Sequence, residues 1–458
     1  MRKLAATLGI CVAIVLPAWS DTTTPSAKKK TVAKKTAAKR TTAKKTTAKK
    51  TTAKAVVHKK RPRPAVVAVS PEVRSVAFRA VNTRATQTGS ALQGAGALVP
   101  FFEQISRPQE SSSLHILQYG DSHTASDDWA NEMRQALQQK FGAGGPGFTL
   151  AGRPFAGYRR FDSHGSNSRG WYTDGLVGHA GDGIYGLAGI SLTTQSRGET
   201  VSLTTECDQV ELHYLQQPGG GQLEFAVDHF PLETIDTAGD LGPGIFRYTA
   251  GAGLHDYTIT TTSDSPVRLF GWVAQNRSGV TYETLGINGA QAEMILNWNP
   301  AILAAELAAR DPALIVVAYG TNEALSKSWT EDEYRNAFTE VIRRLREDAP
   351  VASILVVGPP DCQMRFRNGR RLPFPHLDSV IEIQREVALA SGCAFWDWRA
   401  RMGGPGSSRQ WVLAGLGQAD YVHLTGAGYR LLGDMLFEEL MSQYNRFLAA
   451  RAEVSNGQ

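Results

Sequence analysis

The sequence predicts an α/β protein whose doubly wound parallel sheet is interrupted by a β-sandwich. Three observations carry that prediction. Five short, near-continuous apolar runs have the pattern of strands covered on both faces. Helical patterns lie between most of them, and strands alternating with helices argue for parallel crossover units. Between the first two runs, residues 151–277 change to short alternating strands with turn signals about every ten residues, the pattern of an antiparallel sandwich.

The five runs are LHILQYG (114–120), TYETLGING (281–289), ALIVVAYG (313–320), ASILVVGPP (352–360) and CAFWDW (393–398). After the first, Trp129, Met133, Leu137 and Phe141 recur at four-residue spacing, with Asp127 and Asp128 in the first turn, where carboxylates favour the helix dipole. Tyr334, Phe338, Val341, Ile342 and Leu345 form a stripe on 331–348, and 377–392 and 426–450 behave similarly. These apolar positions are read as sheet-packing core. Residues 90–106 predict an amphipathic helix, weakened by its glycines and Pro100. In the insert the strand patterns are ISLTTQ, ETVSLTT, QVELHYLQQ, GQLEFAVD, IFRYTA, DYTITTT and VRLFGWVAQN. Substrate capture and a purely structural cap both suit such an insert.

Residues 1–20 read as a secretory signal: Arg2 and Lys3, the apolar Leu4–Leu16, and small residues around Ala18-Trp19-Ser20. The apolar run is short for a membrane span, and no later segment is long and apolar enough to cross a membrane. Sixteen of the 49 Lys and Arg fall within 22–64, which holds no Asp or Glu. The remaining 33 basic residues face 43 acidic ones, so the formal charge of +6 belongs to a tail and the rest of the chain is acidic. The tail repeats TTAKKTTAKKTTAKA and cannot bury a core, so 21–75 is predicted to be a disordered linker. It suits both contact with an anionic envelope polymer and a self-repelling spacer. The rest divides into 76–150 and 278–448, the two parts of one catalytic domain, around the insert. Signal removal leaves Cys207, Cys362 and Cys393. Parallel neighbouring strands would hold Cys362 and Cys393 at opposite ends, roughly 15–20 Å apart, so no disulfide between them is expected.

Ligands bind at the carboxyl ends of the strands in doubly wound sheets. The first strand exits into Gly120-Asp121-Ser122-His123, the second into Gly286-Ile287-Asn288-Gly289, the third into Gly320-Thr321-Asn322-Glu323. After the fifth comes GQADYVHLTGAGY, with Asp420 three residues before His423. Taken singly, Ser122 reads as a turn serine, Asn322 as a loop-satisfying amide and Asp420 as a cap. Together they are the parts acyl transfer needs. Ser122 is a nucleophile once a base takes its proton, His423 is that base, and Asp420 orients it. The N–H of Ser122, the N–H of Gly289 and the amide of Asn322 are candidate oxyanion donors. Asp121 reads as a loop brace and His123 as structural or at the pocket rim. His115, His164, His213 and His376 form no cluster, so no metal is expected. No phosphate-cradling or dinucleotide motif is present, so no cofactor is expected; no nucleic-acid partner is expected either, and FGAGGPGF is read as a loop.

At these residues the chain resembles the SGNH, or GDSL-type, hydrolase family, over roughly 110–150 and 280–445. Ser122, Gly289, Asn322 and His423 stand where its four name-giving residues stand, and Asp420 matches its Asp-x-x-His block. The resemblance implies a flavodoxin-like sheet of the SGNH type. The first block reads Gly-Asp-Ser-His rather than Gly-Asp-Ser-Leu, and the third Gly-Thr-Asn-Glu rather than Gly-x-Asn-Asp. Both variants look like the branch of exported peptidoglycan O-acetylesterases, which carries a β-rich, carbohydrate-module-like domain where 151–277 lie here. The expectation is a secreted serine esterase of the periplasm or cell envelope that deacetylates O-acetylated glycan through acetyl-Ser122. An O-acetyltransferase using the same site, and an esterase on another acetylated polysaccharide, are the alternatives; a wall-binding module with a decayed site fits poorly with an intact constellation.

Overall fold

The computed structural model describes residues 66–87, 90–107, 113–178, 181–251 and 253–456. The signal segment, Cys11 and the Lys/Thr repeat lie outside the described residues.

The five apolar runs become β1 (Ser113–Gly120), β2 (Gly279–Gly286), β3 (Pro312–Ala318), β4 (Ser353–Val357) and β5 (Ala394–Trp396). All pair in parallel, in the order β2-β1-β3-β4-β5. This is the flavodoxin-like order, with the chain reversing direction across the sheet next to β1. The helices that matter to the site are α1 (Ser122–Ala125), α2 (Asp128–Phe141), α3 (Pro300–Arg310), α4 (Thr321–Leu325), α5 (Glu331–Asp348), α6 (Leu377–Ala390) and α7 (Gly426–Asn456).

Alternation along each strand builds two cores. Leu117, Tyr119, Ile315, Val317, Ile354 and Val356 face α3, α5 and α6. Leu114, Ile116, Leu314, Val316, Leu355 and Val357 face α2 and α7. Strands covered on both faces read as near-continuous apolar runs; the buried polar groups of β1 and β2 are paired, Gln118 with Thr124 and Glu283 with Thr281 and Arg310. Among the described residues no helix is long and apolar enough to cross a membrane.

Two stretches differ from the sequence expectation. A helix, Pro71–Gln87, begins inside the predicted linker. Residues 90–106 are not one helix: Leu92–Gln93 pairs antiparallel with β5, and helical turns Ala95–Leu98 and Val99–Ile105 follow. Gly94 makes the break. Its φ is +65°, and a Cβ there would lie 2.7 Å from Leu389 Cδ2.

Between β1 and β2 the chain forms two antiparallel sheets. One holds Ser163–Asn167, Thr200–Glu206, Gln222–Val227, Phe230–Asp236 and Leu254–Thr261. The other holds Gly147–Leu150, Tyr172–Asp174, Ser191–Thr194, Gln209–Gln216, Gly242–Thr249 and Val267–Gln275. Val201, Phe225 and Ile259 of the first share a core with Leu212, Leu269 and Trp272 of the second. The second sheet also faces the α/β part, where Phe148 and Val273 join the core of α3 and α5. Buried ionic groups tie the two parts together. Asp127 accepts from Arg134 (2.8 Å), Thr284 (2.6 Å) and the Phe161 N–H (2.9 Å). His213 lies 2.9 Å from Glu306 on α3. Cys207, Cys362 and Cys393 are free and buried.

Candidate active site

Three strands stop at one level: Gly120 pairs with Gly286 on one side and Ala318 on the other. Side chains delivered just past that level share one edge. Ser122 opens α1 there, Gly289 lies three residues past β2, and Asn322 is the second residue of α4.

The first exit turns sharply because two glycines let α1 sit close to the sheet. A Cβ on Gly120 would lie 2.1 Å from Thr124 Oγ1, and one on Gly286 2.2 Å from the Ala125 nitrogen. Asp121 caps α1, accepting from the His123 N–H at 2.9 Å. From below, Gln118 donates to the Thr124 hydroxyl (2.8 Å) and accepts from Tyr282 (2.7 Å). Ser122 is therefore held at the first position of a braced helix.

Ser122 Oγ lies 2.9 Å from His423 Nε2. His423 Nδ1 lies 2.8 Å from Asp420 Oδ2. Asp420 Oδ1 accepts from the N–H groups of Val422 (2.9 Å) and His423 (3.0 Å). Burial pushes the Asp420 carboxyl up, but the His423 ring and these two amides outweigh it and hold it below its usual value. An ionised Asp420 accepts a hydrogen bond from the Nδ1–H, which leaves Nε2 as the acceptor facing the hydroxyl. A hydroxyl, imidazole and carboxylate in that chain can turn a serine into a nucleophile.

The loop carrying Asp420 and His423 is clamped. Arg371 donates to the carbonyls of Ala419 (2.9 Å) and Asp420 (3.3 Å), and its guanidinium lies 3.6 Å from the centre of the Tyr421 ring. Gln363 N–H donates to the Tyr421 carbonyl at 3.1 Å. Both belong to a small hairpin, Gln363–Arg365 with Arg371–Pro373, that sequence reasoning missed. Three-residue strands in a polar, Arg-rich stretch leave almost no periodic signal.

Past β3, Asn322 Nδ2 donates to the Ala290 carbonyl at 2.9 Å. The Ala292 N–H donates to Glu323 Oε1 at 2.8 Å. Two side chains of α4 thus grip the loop that carries Gly289, whose φ is +80°. In the sequence Glu323 stands only as a departure from Asp; the structure gives it the Ala292 N–H as a partner. Asp121 and Glu323 are both buried, and burial pushes them up to about 6 and about 8.

His123 is not at the rim. It is 1% exposed, behind the His423 ring. Among the described residues, no group of three or more His, Cys, Asp or Glu could hold a metal ion. Beside Gly289 opens a cleft of about 520 Å³. Leu176 and Val177 of the insert line it together with Gln291, Met294 and Asn297.

The profile of the GDSL-like Lipase/Acylhydrolase family matches residues 248–431, which take in Gly289, Asn322, Asp420 and His423 and leave Ser122 outside. A solved peptidoglycan O-acetylesterase is 25% identical, with a TM-score of 0.67, over 78% of this chain and 100% of its own. A family two carbohydrate esterase from Clostridium thermocellum, solved with cellohexaose, is 14% identical over 56% of this chain and 95% of its own, with a TM-score of 0.29. No curated protein matches the chain.

Proposed function

We propose that this chain, an SGNH/GDSL-type carboxylic ester hydrolase, is an exported serine esterase that removes O-acetyl groups from cell-wall glycan, with peptidoglycan as the leading substrate. The observation that carries this is the hydrogen-bonded line from Ser122 through His423 to Asp420 at the sheet edge. The likeness to a peptidoglycan O-acetylesterase over all of that protein's length supports the choice of substrate.

In this reading Ser122 Oγ attacks the acetyl carbonyl while His423 Nε2 takes its proton, and Asp420 stabilises the imidazolium. The N–H groups of Ser122 and Gly289 and the amide of Asn322 receive the oxyanion, each donor typically worth about 3–4 kcal/mol. The intermediate collapses to acetyl-Ser122, and His423 returns the proton to the departing sugar oxygen. Water then attacks the acetyl-enzyme with His423 as base, releasing acetate. The cleft beside Gly289 is large enough for a sugar bearing the ester. The two-sheet insert, a β-sandwich in this reading, helps line it and acts as a carbohydrate-module-like capture surface. The basic tail would hold the enzyme near anionic envelope polymer; deleting 22–64 should then weaken envelope retention in a salt-sensitive way, and unchanged retention removes that role.

The test is acetate release from O-acetylated peptidoglycan beside O-acetylated xylan and a small aryl acetate. Peptidoglycan should have the highest kcat/KM. Preference for xylan would move the substrate to another polysaccharide. Acetyl transfer to added glycan outrunning hydrolysis would make the enzyme a transferase.

A further inference from the structure

Asn322 and Glu323 are consecutive on α4, so their side chains leave the helix about 100° apart. Both nevertheless reach the same loop. Asn322 Nδ2 donates to the Ala290 carbonyl at 2.9 Å, and Glu323 Oε1 accepts from the Ala292 N–H at 2.8 Å. These are the first and third residues after Gly289. The helix is itself fixed: Trp329 Nε1 donates to the Glu323 carbonyl at 3.1 Å, and His376 N–H to the Ala324 carbonyl at 3.1 Å. Glu323 is 2% exposed, and its Oε2 makes no hydrogen bond among the described residues. A cavity of about 40 Å³, walled by Glu323, Ala292, Trp329 and Tyr334, lies against it. Burying a carboxyl without full pairing is costly. Packing alone does not call for one.

We propose that Glu323 is a positioning residue for ester cleavage, bolting the loop that carries Gly289 to the helix that carries Asn322. The proposal rests on reading those two residues as oxyanion donors. Donors of that kind act only if they are fixed before the charge develops. Gly289, in the left-handed region, has no side chain of its own to hold it, so its N–H points where the Ala290 and Ala292 bonds set it.

The acid form matters too. Burial, then the acidic Asp121 at the end of β1 and Glu293 beyond the loop, push the Glu323 carboxyl up to about 8. Tyr319 and Tyr334 also face it, and Glu333 lines the same cavity. Near pH 7 the group is neutral and leaves the donors' field to the oxyanion. Above pH about 8 it becomes an anion beside a site built to receive one.

The experiment measures kcat and KM on a small aryl acetate from pH 6 to 10 for wild type, Glu323→Gln, Glu323→Ala and Ser122→Ala. Glu323→Ala should lose at least tenfold in kcat at pH 7 with KM within about twofold. Glu323→Gln, which still accepts from the Ala292 N–H, should stay within about threefold of wild type. Wild type should lose activity above pH about 8, and Glu323→Gln should not. If Glu323→Gln is as slow as Glu323→Ala, or keeps the alkaline fall, or if Glu323→Ala matches wild type, the proposal is overturned. Those outcomes with an inactive Ser122→Ala sink this proposal alone; an active Ser122→Ala sinks the reading of the site on which it stands.

Discussion

His123 packs behind His423, the two ring centroids 5.2 Å apart and the planes tilted by 37°. Its Nδ1 lies 2.8 Å from the Tyr429 hydroxyl, and Trp398 meets the ring edge-on at 5.1 Å. Burial first, and then the His423 charge, hold its pKa well below the ordinary histidine value. A neutral ring can back an imidazolium without repelling it; a second cation could not. His123→Leu should therefore cost less than tenfold in kcat, and destabilise by about 1–3 kcal/mol through the loss of the Tyr429 hydroxyl's buried His123 partner. His423→Ala should lose several orders of magnitude in kcat. Rates and melting temperatures of both variants check this; equal losses in kcat would make His123 the base.

Asn322→Ala removes both a proposed oxyanion donor and a tie to Ala290. It should lower kcat by about a hundredfold or more with little change in KM, since the interaction belongs to the transition state. Steady-state kinetics decide it. An unchanged kcat would mean that the amide does not face the oxyanion.

Arg371 should matter without touching substrate. Tyr421 stands between Asp420 and His423 with φ at +66°, a conformation a tyrosine rarely adopts. Arg371 holds it by stacking and by two carbonyl contacts. Arg371→Ala should lower kcat about tenfold with KM little changed. Arg371→Lys should not restore it, because an ammonium supplies neither the planar stack nor the forked donors. Wild-type kcat in Arg371→Ala would show that Asp420's own bonds suffice to hold the loop.

Stability should fall on the alkaline side through His213. Burial lowers its pKa, but Glu306 and Glu211 override that and bring it to about 9. The folded value lies above the ordinary one, so the stabilisation is complete below pH about 6.5 and is lost as pH rises through 9. Glu211 is the opposite case. Burial pushes it up, and His213 and Arg247 bring it down to about 2, so its share holds above pH about 4.5 and is lost as pH falls through 2. Between pH 6.5 and 10, wild type should lose on the order of 3 kcal/mol more than His213→Gln. Urea melts at the two pH values measure it; parallel losses would show that the pair between the insert and α3 carries no net stability.

What was legible in the sequence follows from burial. The five parallel strands sit between two cores, and apolar runs such as 313–317 admit little else. The exits Gly120-Asp121-Ser122, Gly286 to Gly289, Gly320 to Asn322, and Asp420 to His423 were legible because each follows such a run or lies in one short turn. Residues whose contacts come from far along the chain were not legible. Arg371 reaches the loop 48 residues on, and His123 is fixed by Tyr429, 306 residues away. Glu323 meets Ala292 across a strand and a helix. The break at 90–106 escaped because Gly94 is set by Leu389 and Cys393, not by its own neighbours.

In the proposed reaction Ser122, activated by His423, carries the acetyl group. The most direct test is acetate release from O-acetylated peptidoglycan by wild type and by folded Ser122→Ala, with mass spectrometry of the enzyme during turnover. Wild type should release acetate, Ser122→Ala none, and an acetyl mass should appear on the peptide containing Ser122. Undiminished release by Ser122→Ala would contradict that reaction.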